Sequence, residues 1–262
     1  MGGPLHNLLG TIWRGARPVL SGIADLVLPR VCPACGQADA AGDGLCADCG
    51  LKLLAQVAGV YCPRCGSTAV PEDGKTGCHL CPPYPPRFGR VVRLGTYEGP
   101  LKGIIRQFKY RREEGLGRRF GRMLASAVQA RCADVPPDLV MPVPAHWRRR
   151  LARAFDHSRA LALAVADGLD LPLGDELARV RNTPPQANLP RSQRAANVRG
   201  AFEARASKAI AGATVLLVDD VTTTGATANE ATRALLAAGA SKVILAVIAK
   251  AQPPAAYAQM DQ

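Results

Sequence analysis

Residues 215–227, VLLVDDVTTTGAT, constrain the fold of this chain more than any other stretch. Val215 to Val218 form an unbroken apolar run. A strand loses the usual in–out alternation when both of its faces are covered, as in a parallel sheet. Two carboxylates follow, Asp219 and Asp220, and then a hydroxyl-rich turn, Val221-Thr222-Thr223-Thr224-Gly225-Ala226-Thr227. Ala228 to Ala238 suits a helix, with Gly239 placed to stop it. A strand that turns through small and hydroxyl residues into a helix points free backbone N–H groups and the positive helix end at one spot, which makes an anion site. Two acids just before it can hold the 2′ and 3′ hydroxyls of a ribose. Strand, acid pair and cradle together predict a grip on a ribose 5-phosphate. An ordinary helix N-cap needs one acid at most, so capping does not account for the pair.

Eight of the nine cysteines fall into four CxxC pairs: Cys32/Cys35, Cys46/Cys49, Cys62/Cys65 and Cys78/Cys81. Two of the pairs sit in Cys-Pro-x-Cys-Gly knuckles, CPACG and CPRCG. A tight turn of this kind points two thiolates at one metal, and two turns complete a tetrahedral four-cysteine site. Ten to twelve residues separate successive pairs, room for a short hairpin. The simplest pairing is sequential, Cys32, Cys35, Cys46 and Cys49 on one zinc and Cys62, Cys65, Cys78 and Cys81 on the other; a cross-braced pairing fits the spacing as well. Disulfides are the rival, but no signal peptide is visible and the remainder reads as a cytoplasmic nucleotide-handling domain, where thiols stay reduced. His79 is a bystander once four pairs are complete, and Cys132 stands alone on an expected helix as a core residue. A closed four-cysteine site has no open position, so the metal serves folding or docking. About fifty residues with few apolar side chains need such a staple.

Thirty-three Lys and Arg against 21 Asp and Glu leave a formal net charge of +12. The bases concentrate between 102 and 159, among them Lys102, Arg106, Lys109, Arg111, Arg112, Arg118, Arg119, Arg122, Arg148, Arg149, Arg150 and Arg153. Such a patch suits phosphates, of a small nucleotide or of a nucleic-acid backbone; part of it is simply the arginine-rich composition of solvated helices. Residues 5–28 are apolar but broken by Arg14, Arg17, Pro18 and Asp25, which argues against a membrane span or stable membrane insertion. They read as an amphipathic helix packed on the body, with membrane-surface contact as the weaker option. Residues 82–88, PPYPPRF, form a Pro-rich boundary. The expected organisation is therefore an N-terminal helical segment (1–29), a double zinc ribbon (30–82) and an α/β domain (90–252).

Within that domain strands are expected at Val91–Tyr97, Leu139–Val143, Leu177–Arg181, Val215–Val218 and Lys242–Lys250, and helices at 99–111, Leu116–Cys132, Arg148–Leu169 and Ala228–Ala238. Residues 182–198 read as a polar, Pro-containing loop. In 99–111, Leu101, Ile104, Ile105 and Phe108 recur at helical spacing with bases between. Strands alternating with helices predict a doubly wound parallel sheet, whose ligands sit at the carboxyl ends of the strands.

The acid pair in its Thr/Gly loop resembles the phosphoribosyl-diphosphate (PRPP) motif of type I phosphoribosyltransferases. The resemblance narrows further. PVPAHWRRRLARAFDHSRALA (142–162) is similar to the PVP…RGFNQ…LA signature of the ComF family, which includes GntX-type proteins. RNTPPQANLPRSQRAANVRGAF (181–202) is similar to that family's R…TPPQ…L…R…NV.GAF segment, and FKYRREEGLG (108–117) to its lysine-tyrosine motif. The resemblance covers about 26–250. It implies a type I phosphoribosyltransferase-like sheet behind a double zinc ribbon, with Asp219 and Asp220 gripping ribose hydroxyls and Thr222 to Thr227 cradling the 5-phosphate. It further implies a pyrophosphate loop at Pro144, Ala145 and His146 with Arg148, Arg149 and Arg153 behind it. Residues 183–198 become a flexible loop that closes over substrate, where Gln186, Arg194 and Asn197 are the polar candidates. The chain departs from the family in reading Arg153-Ala154-Phe155-Asp156-His157 for Arg-Gly-Phe-Asn-Gln. Losing the Gly and gaining two titratable groups changes hydrogen bonding there; His157 is a base or a structural residue at a helix start.

Two functions from different classes fit. One is a Mg²⁺-dependent phosphoribosyltransferase, in which PRPP reacts through an oxocarbenium-like ribose and the protein's part is electrostatic; nothing in the sequence identifies the acceptor. The other, implied by the ComF resemblance, is a cytoplasmic competence accessory protein that handles incoming single-stranded DNA with helicase-like partners and uses the pocket for PRPP or a nucleotide unit without turnover. The cysteine pattern gives the first test. Metal analysis of the purified chain is expected to return about two zinc ions per molecule; four disulfides and no metal would contradict it.

Overall fold

The computed structural model describes residues 31–32, 34–37, 45–57, 59–68, 78, 80–81, 86–110, 114–146, 156–184, 186 and 189–252. The helix expected within 1–29, His79 and the arginines at 148, 149, 150 and 153 lie outside them. The elements are α1 (Ala47–Val57), β1 (Arg90–Thr96), α2 (Gly99–Tyr110), α3 (Glu114–Arg131), β2 (Leu139–Pro142), α4 (His157–Leu169), β3 (Leu177–Arg179), α5 (Arg191–Val198), β4 (Phe202–Ala204), β5 (Thr214–Thr222), α6 (Ala226–Ala237) and β6 (Lys242–Lys250). Four strands make a parallel sheet in the order β1-β6-β5-β2, and β3 pairs antiparallel with β4 in a separate small hood.

The unbroken apolar run of β5 is explained by what covers it. Leu216 and Val218 face a layer built on Ile104 and Phe108 of α2, Phe120 and Leu124 of α3 and Leu161 and Val165 of α4. Val215 and Leu217 face the opposite layer, with Ala231 and Leu235 of α6 and Phe202 of the hood. β6 divides the same way, Ile244, Ala246 and Ile248 to one side and Val243, Leu245 and Val247 to the other. Gly239, at φ +106°, ends α6 as its position in the sequence implies.

β5 is longer than the apolar run. It continues through both acids to Thr222, because β6 extends equally far and pairs Asp219 with Val247, Val221 with Ala249 and Thr222 with Lys250. The acid pair is thus part of the ladder and does not begin the turn. The long helix expected from Arg148 is described only from His157, where Asp156 accepts a hydrogen bond from the Arg159 amide at 3.1 Å and caps α4. The polar stretch 182–198 ends in the helix α5, which follows Pro190, and the chain then forms β4. Both were missed, since Arg191–Val198 offers only Ala195, Ala196 and Val198 among five polar residues, too little for an apolar stripe, and a three-residue strand carries no readable alternation.

The two Cys-Pro-x-Cys-Gly knuckles close alike. Gly36 donates to the Cys32 carbonyl at 2.7 Å and Gly66 to the Cys62 carbonyl at 2.8 Å, with both glycines at φ near +75°, the conformation the turn demands and a side chain resists. Cys32 and Cys49, with Leu45 and Leu53 of the first module, join the layer under β1, while the second knuckle takes β1's free edge, the Val91 amide donating to the Pro63 carbonyl at 2.7 Å. An uncovered edge strand is a template for association, and the ribbon removes it. Tyr61 lies between the guanidinium groups of Arg93 and Arg131, each 4.5 Å from its ring centre. The ribbon and the sheet therefore share a core. An expectation follows that differs from one drawn on a self-contained ribbon: Leu53→Ala is expected to destabilise ribbon and sheet together by roughly 2–5 kcal/mol. Thermal unfolding followed by both metal release and far-ultraviolet circular dichroism would show one shifted transition; two separate transitions with an unchanged sheet would contradict it.

Candidate functional site

A cavity of about 360 Å³ opens at the carboxyl ends of the parallel strands. Tyr97, which follows β1, and Ala251, which follows β6, line it together with Asp219, Val221 and Thr222 of β5 and the loop Thr223, Thr224 and Gly225 leading into Ala226, Thr227 and Ala228 of α6. From across the opening come Lys109, in the last turn of α2, and Gln186 and Arg194 of the hood segment. Gly225 caps the amino end of α6 at φ +78°, where a Cβ would stand 3.3 Å from the Phe88 ring. The loop needs glycine there both for its backbone angle and for that close approach. Phe88 belongs to the Pro-rich boundary, so the boundary residue also supports the loop from beneath.

The acids are not equivalent. Asp219 accepts a hydrogen bond from the Ser158 hydroxyl at 3.3 Å and one from the Asp220 amide at 2.9 Å. Asp220 forms an ion pair with Lys109 at 3.0 Å. Burial, and then the charge of Asp220, push Asp219 up to about 7, while the Asp220 amide, Lys109 and Ser158 hold it down. Burial alone would lower Lys109, but Asp220 and Asp219 outweigh it and raise its pKa above the ordinary value. The Lys250 ammonium donates to the Thr223 carbonyl from below the loop, and burial pushes this lysine down to about 8.

Gln186 ties the hood to the loop. Its Nε2 lies 3.3 Å from both the Thr227 hydroxyl and the Arg194 carbonyl, and its Oε1 is buried with no partner. Arg194 donates to the Leu189 carbonyl at 3.1 Å. Asn197 does not reach the cavity; it donates to the Pro184 carbonyl at 3.1 Å and fixes the hood segment. Val143 donates to the Val218 carbonyl at 2.8 Å, which places Pro144, Ala145 and a buried His146 just past the end of β2, beside β5 but not in the cavity wall. His157 packs its ring edge on Phe108 at 5.3 Å, and its neighbour Ser158 reaches Asp219. Sequence reasoning placed Lys109 in a general basic patch and overlooked Tyr97, Ser158 and Lys250. For Lys109 a signal existed, since it lies in the lysine-tyrosine stretch set apart by its resemblance; the other three are brought in only by the ends of β1, β6 and α4.

The cysteines gather sequentially, Cys32, Cys35, Cys46 and Cys49 in one group and Cys62, Cys65, Cys78 and Cys81 in the other. Sulfur atoms lie 3.6 Å apart for Cys35 and Cys46, 3.6 Å for Cys62 and Cys81 and 3.8 Å for Cys65 and Cys78. The edge of a tetrahedron with metal–sulfur bonds of about 2.3 Å is about 3.8 Å, so both groups fit zinc. The cross-braced alternative does not occur.

Known proteins agree with this architecture. Residues 156–259 match the sequence model of the phosphoribosyl transferase domain, and residues 23–82 that of the double zinc ribbon domain. The DNA utilization protein YhgH of Salmonella typhi is 31% identical over 223 residues, covering 83% of this chain and 96% of that protein. Competence protein F of Haemophilus influenzae is 30% identical over 221 residues, covering 82% and 94%. Among solved structures, a glutamine phosphoribosylpyrophosphate amidotransferase from B. subtilis complexed with ADP and GMP is 25% identical with a TM-score of 0.35, over 50% of this chain and 25% of that one. The fold class is the expected one, an α/β parallel sheet of the phosphoribosyltransferase type with an amino-terminal double zinc ribbon. No helix among the described residues is long and apolar enough to cross a membrane.

The raised acid predicts a pH signature. A carboxyl with a folded pKa near 7 and an unfolded value near 3.8 binds more protons when folded across that window, so stability falls as pH rises through it and the full penalty stands above pH 7. Asp219→Asn is expected to be more stable than the parent at pH 8, with the difference closing toward pH 4. Denaturant melts at the two pH values check it; equal gains at both would contradict the burial.

Proposed function

This chain belongs to the ComF family of competence and DNA-utilisation proteins, and we propose that it is a cytoplasmic accessory protein that handles single-stranded DNA and takes a ribose 5-phosphate unit, from PRPP or a nucleotide, into the cavity at the end of β5. The observation that carries this reading is that Asp219, the Thr222–Thr227 loop, Lys109 and Arg194 line one opening, with Asp220 held beside it by its ion pair to Lys109. In this reading Asp219 and Asp220 accept hydrogen bonds from the ribose hydroxyls. The loop's backbone N–H groups and hydroxyls, at the positive end of α6, hold the 5-phosphate. Lys109 gives up part of its ion pair when the sugar docks, and Gln186 and Arg194 close the hood over the ligand and exclude water. PRPP would bring Mg²⁺ on its diphosphate, which neutralises charge there; by the family resemblance the diphosphate would be met by the loop at Pro144, Ala145 and His146 and by Arg148, Arg149 and Arg153 of the sequence that follows it.

The DNA path of this proposal runs over the basic face beside that loop and along the zinc ribbon, and helicase-like competence proteins are the partners that would feed it. Few aromatics are present, 5% of residues, so the grip is mainly electrostatic and independent of sequence. Two experiments test the reading. Asp219→Asn with Asp220→Asn is expected to abolish PRPP binding in calorimetry while the fold persists, and parent affinity is expected to weaken as pH falls through 7, where Asp219 takes up its proton. Unchanged binding by the double variant would remove the site assignment.

A single-stranded oligonucleotide titrated at two salt concentrations, with and without excess PRPP, is expected to bind weakly with a log–log salt slope of roughly −0.7 per phosphate contact. Binding should survive in Lys109→Ala, whose ammonium is engaged with Asp220, and drop when Arg148, Arg149 and Arg150 are all changed to Ala. Competition by PRPP would put the strand over the cavity itself. No binding at low salt, together with pyrophosphate release from PRPP and a nucleobase, would replace this reading with a Mg²⁺-dependent phosphoribosyltransferase.

A further inference from the structure

Arg93 and Lys250 are buried cations, 3% and 5% exposed, and among the described residues neither forms an ion pair with a carboxylate. The Nε of Arg93 is buried without a hydrogen-bond partner. A buried charge with no counter-charge is strongly unfavourable, so the fold must supply one. Both side chains pack against the second knuckle. A Cβ at Gly66, the residue after Cys65, would lie 3.7 Å from Arg93 Cδ and 3.8 Å from Lys250 Cβ. The groups that act most strongly on Lys250 include Cys65, Arg191, Arg93 and Cys78, and Cys65 also acts on Arg93, whose guanidinium stacks on the Tyr61 ring. A zinc ion in four thiolates carries two net negative charges, and two buried cations stand beside this one. The first cluster is built differently, with Cys32 and Cys49 set into the aliphatic layer.

Lys250 faces two ways. Its ammonium also donates to the Thr223 carbonyl, in the middle of the loop after β5. The backbone runs in parallel with this link: Ala251 donates to the Thr222 carbonyl at 2.8 Å, and the Gln252 side chain donates to the Thr68 hydroxyl, beyond the knuckle, at 2.8 Å. The knuckle at Gly66, next to Cys65, and the loop at Thr223 are thus linked through one side chain and its strand. We propose that the second zinc–thiolate cluster, neutralised by Arg93 and Lys250, anchors the Thr222–Thr227 loop through Lys250, so that metal at Cys62, Cys65, Cys78 and Cys81 sets the geometry of the cavity floor. Lys250 is a positioning residue in this scheme and touches no ligand. The consequence for ligand binding rests on the ribose-phosphate reading above; the coupling of metal to loop does not.

The test uses the full zinc-loaded chain with Lys250→Met, Lys250→Arg and Arg93→Met. Zinc transfer to a chromogenic chelator is followed while alkylation of the cysteine peptides identifies which cluster opens. Lys250→Met is expected to release the second zinc about tenfold faster, the scale at which groups supporting metal ligands act, with the first zinc unchanged. Hydrogen exchange of the amides in 222–228 should quicken in the same variant, and Lys250→Arg should restore both. Arg93→Met should speed release of the second zinc with a smaller effect on the loop. The parent protein gives an independent arm, since removing its second zinc by limited chelation should expose the same loop amides. Parent rates of zinc release and exchange in Lys250→Met, or full loop protection after the parent loses the second zinc, would overturn the proposal. PRPP titration of the same samples separates the two ideas: coupling without PRPP binding by the parent upholds the anchor and removes the ribose-phosphate reading.

Discussion

The ladder between β5 and β6 beyond the apolar run is the constraint on which the rest of the structure depends. Hydrogen bonds through Val221 and Thr222 hold two carboxylates on an extended backbone at the rim of the sheet. Left in a turn, neighbouring acids would separate and hydrate. Held in the ladder, the two side chains leave the strand toward opposite faces, and Lys109 of α2 pairs with Asp220. Burial first, and then the charge of Asp220, raise the pKa of Asp219. Sites arranged for ligand commonly carry such local instability, and here the covered faces of β5 sustain it.

The second dependence is of the metal module on the sheet. A four-cysteine module of this size has too few apolar side chains for a core of its own. It finds one by inserting Leu45 and Leu53 under β1 and by stacking Tyr61 between two arginines of the sheet domain. The two clusters sit in different surroundings although their knuckles are nearly copies in geometry: Cys32 and Cys49 of the first join the aliphatic layer, with Arg119 beside Gly50, and the second has Arg93 and Lys250 beside Gly66.

The parallel sheet, the acid pair, the loop and the sequential cysteines were all legible because each is written in contiguous residues with strong local chemistry. β6 was read to its ends for the same reason. What the sequence hid is long-range or short. The extension of β5 through its acids depends on the length of β6. The helix α5 and the hood strand β4 are too polar or too brief to show a period, whereas β3 falls within the strand expected at Leu177–Arg181. Lys109 was visible as a base but not as Asp220's partner, since nothing local says which face of α2 meets the strand ends. Asp156 looked like a departure in hydrogen bonding and turns out to cap α4, a role its oxygen shares with the Asn it replaces.

The strand order carries a consequence for synthesis. β1 is the first strand made, yet its neighbour in the sheet is β6, the last. A chain emerging from the ribosome must keep β1 waiting until almost the whole protein has appeared, and waiting strands are what nascent chains lose to aggregation. The ribbon that precedes β1 is local in sequence, and its thiolates gather on a metal through contacts made before β1 is complete, although Leu45 and Leu53 reach their full packing only under that strand. Once closed, it offers the Pro63 carbonyl to the Val91 amide. A ribbon closed on its metal would thereby give the first strand an early partner, and a shortage of zinc would then be felt as lost yield of protein before it is felt as lost affinity for any ligand.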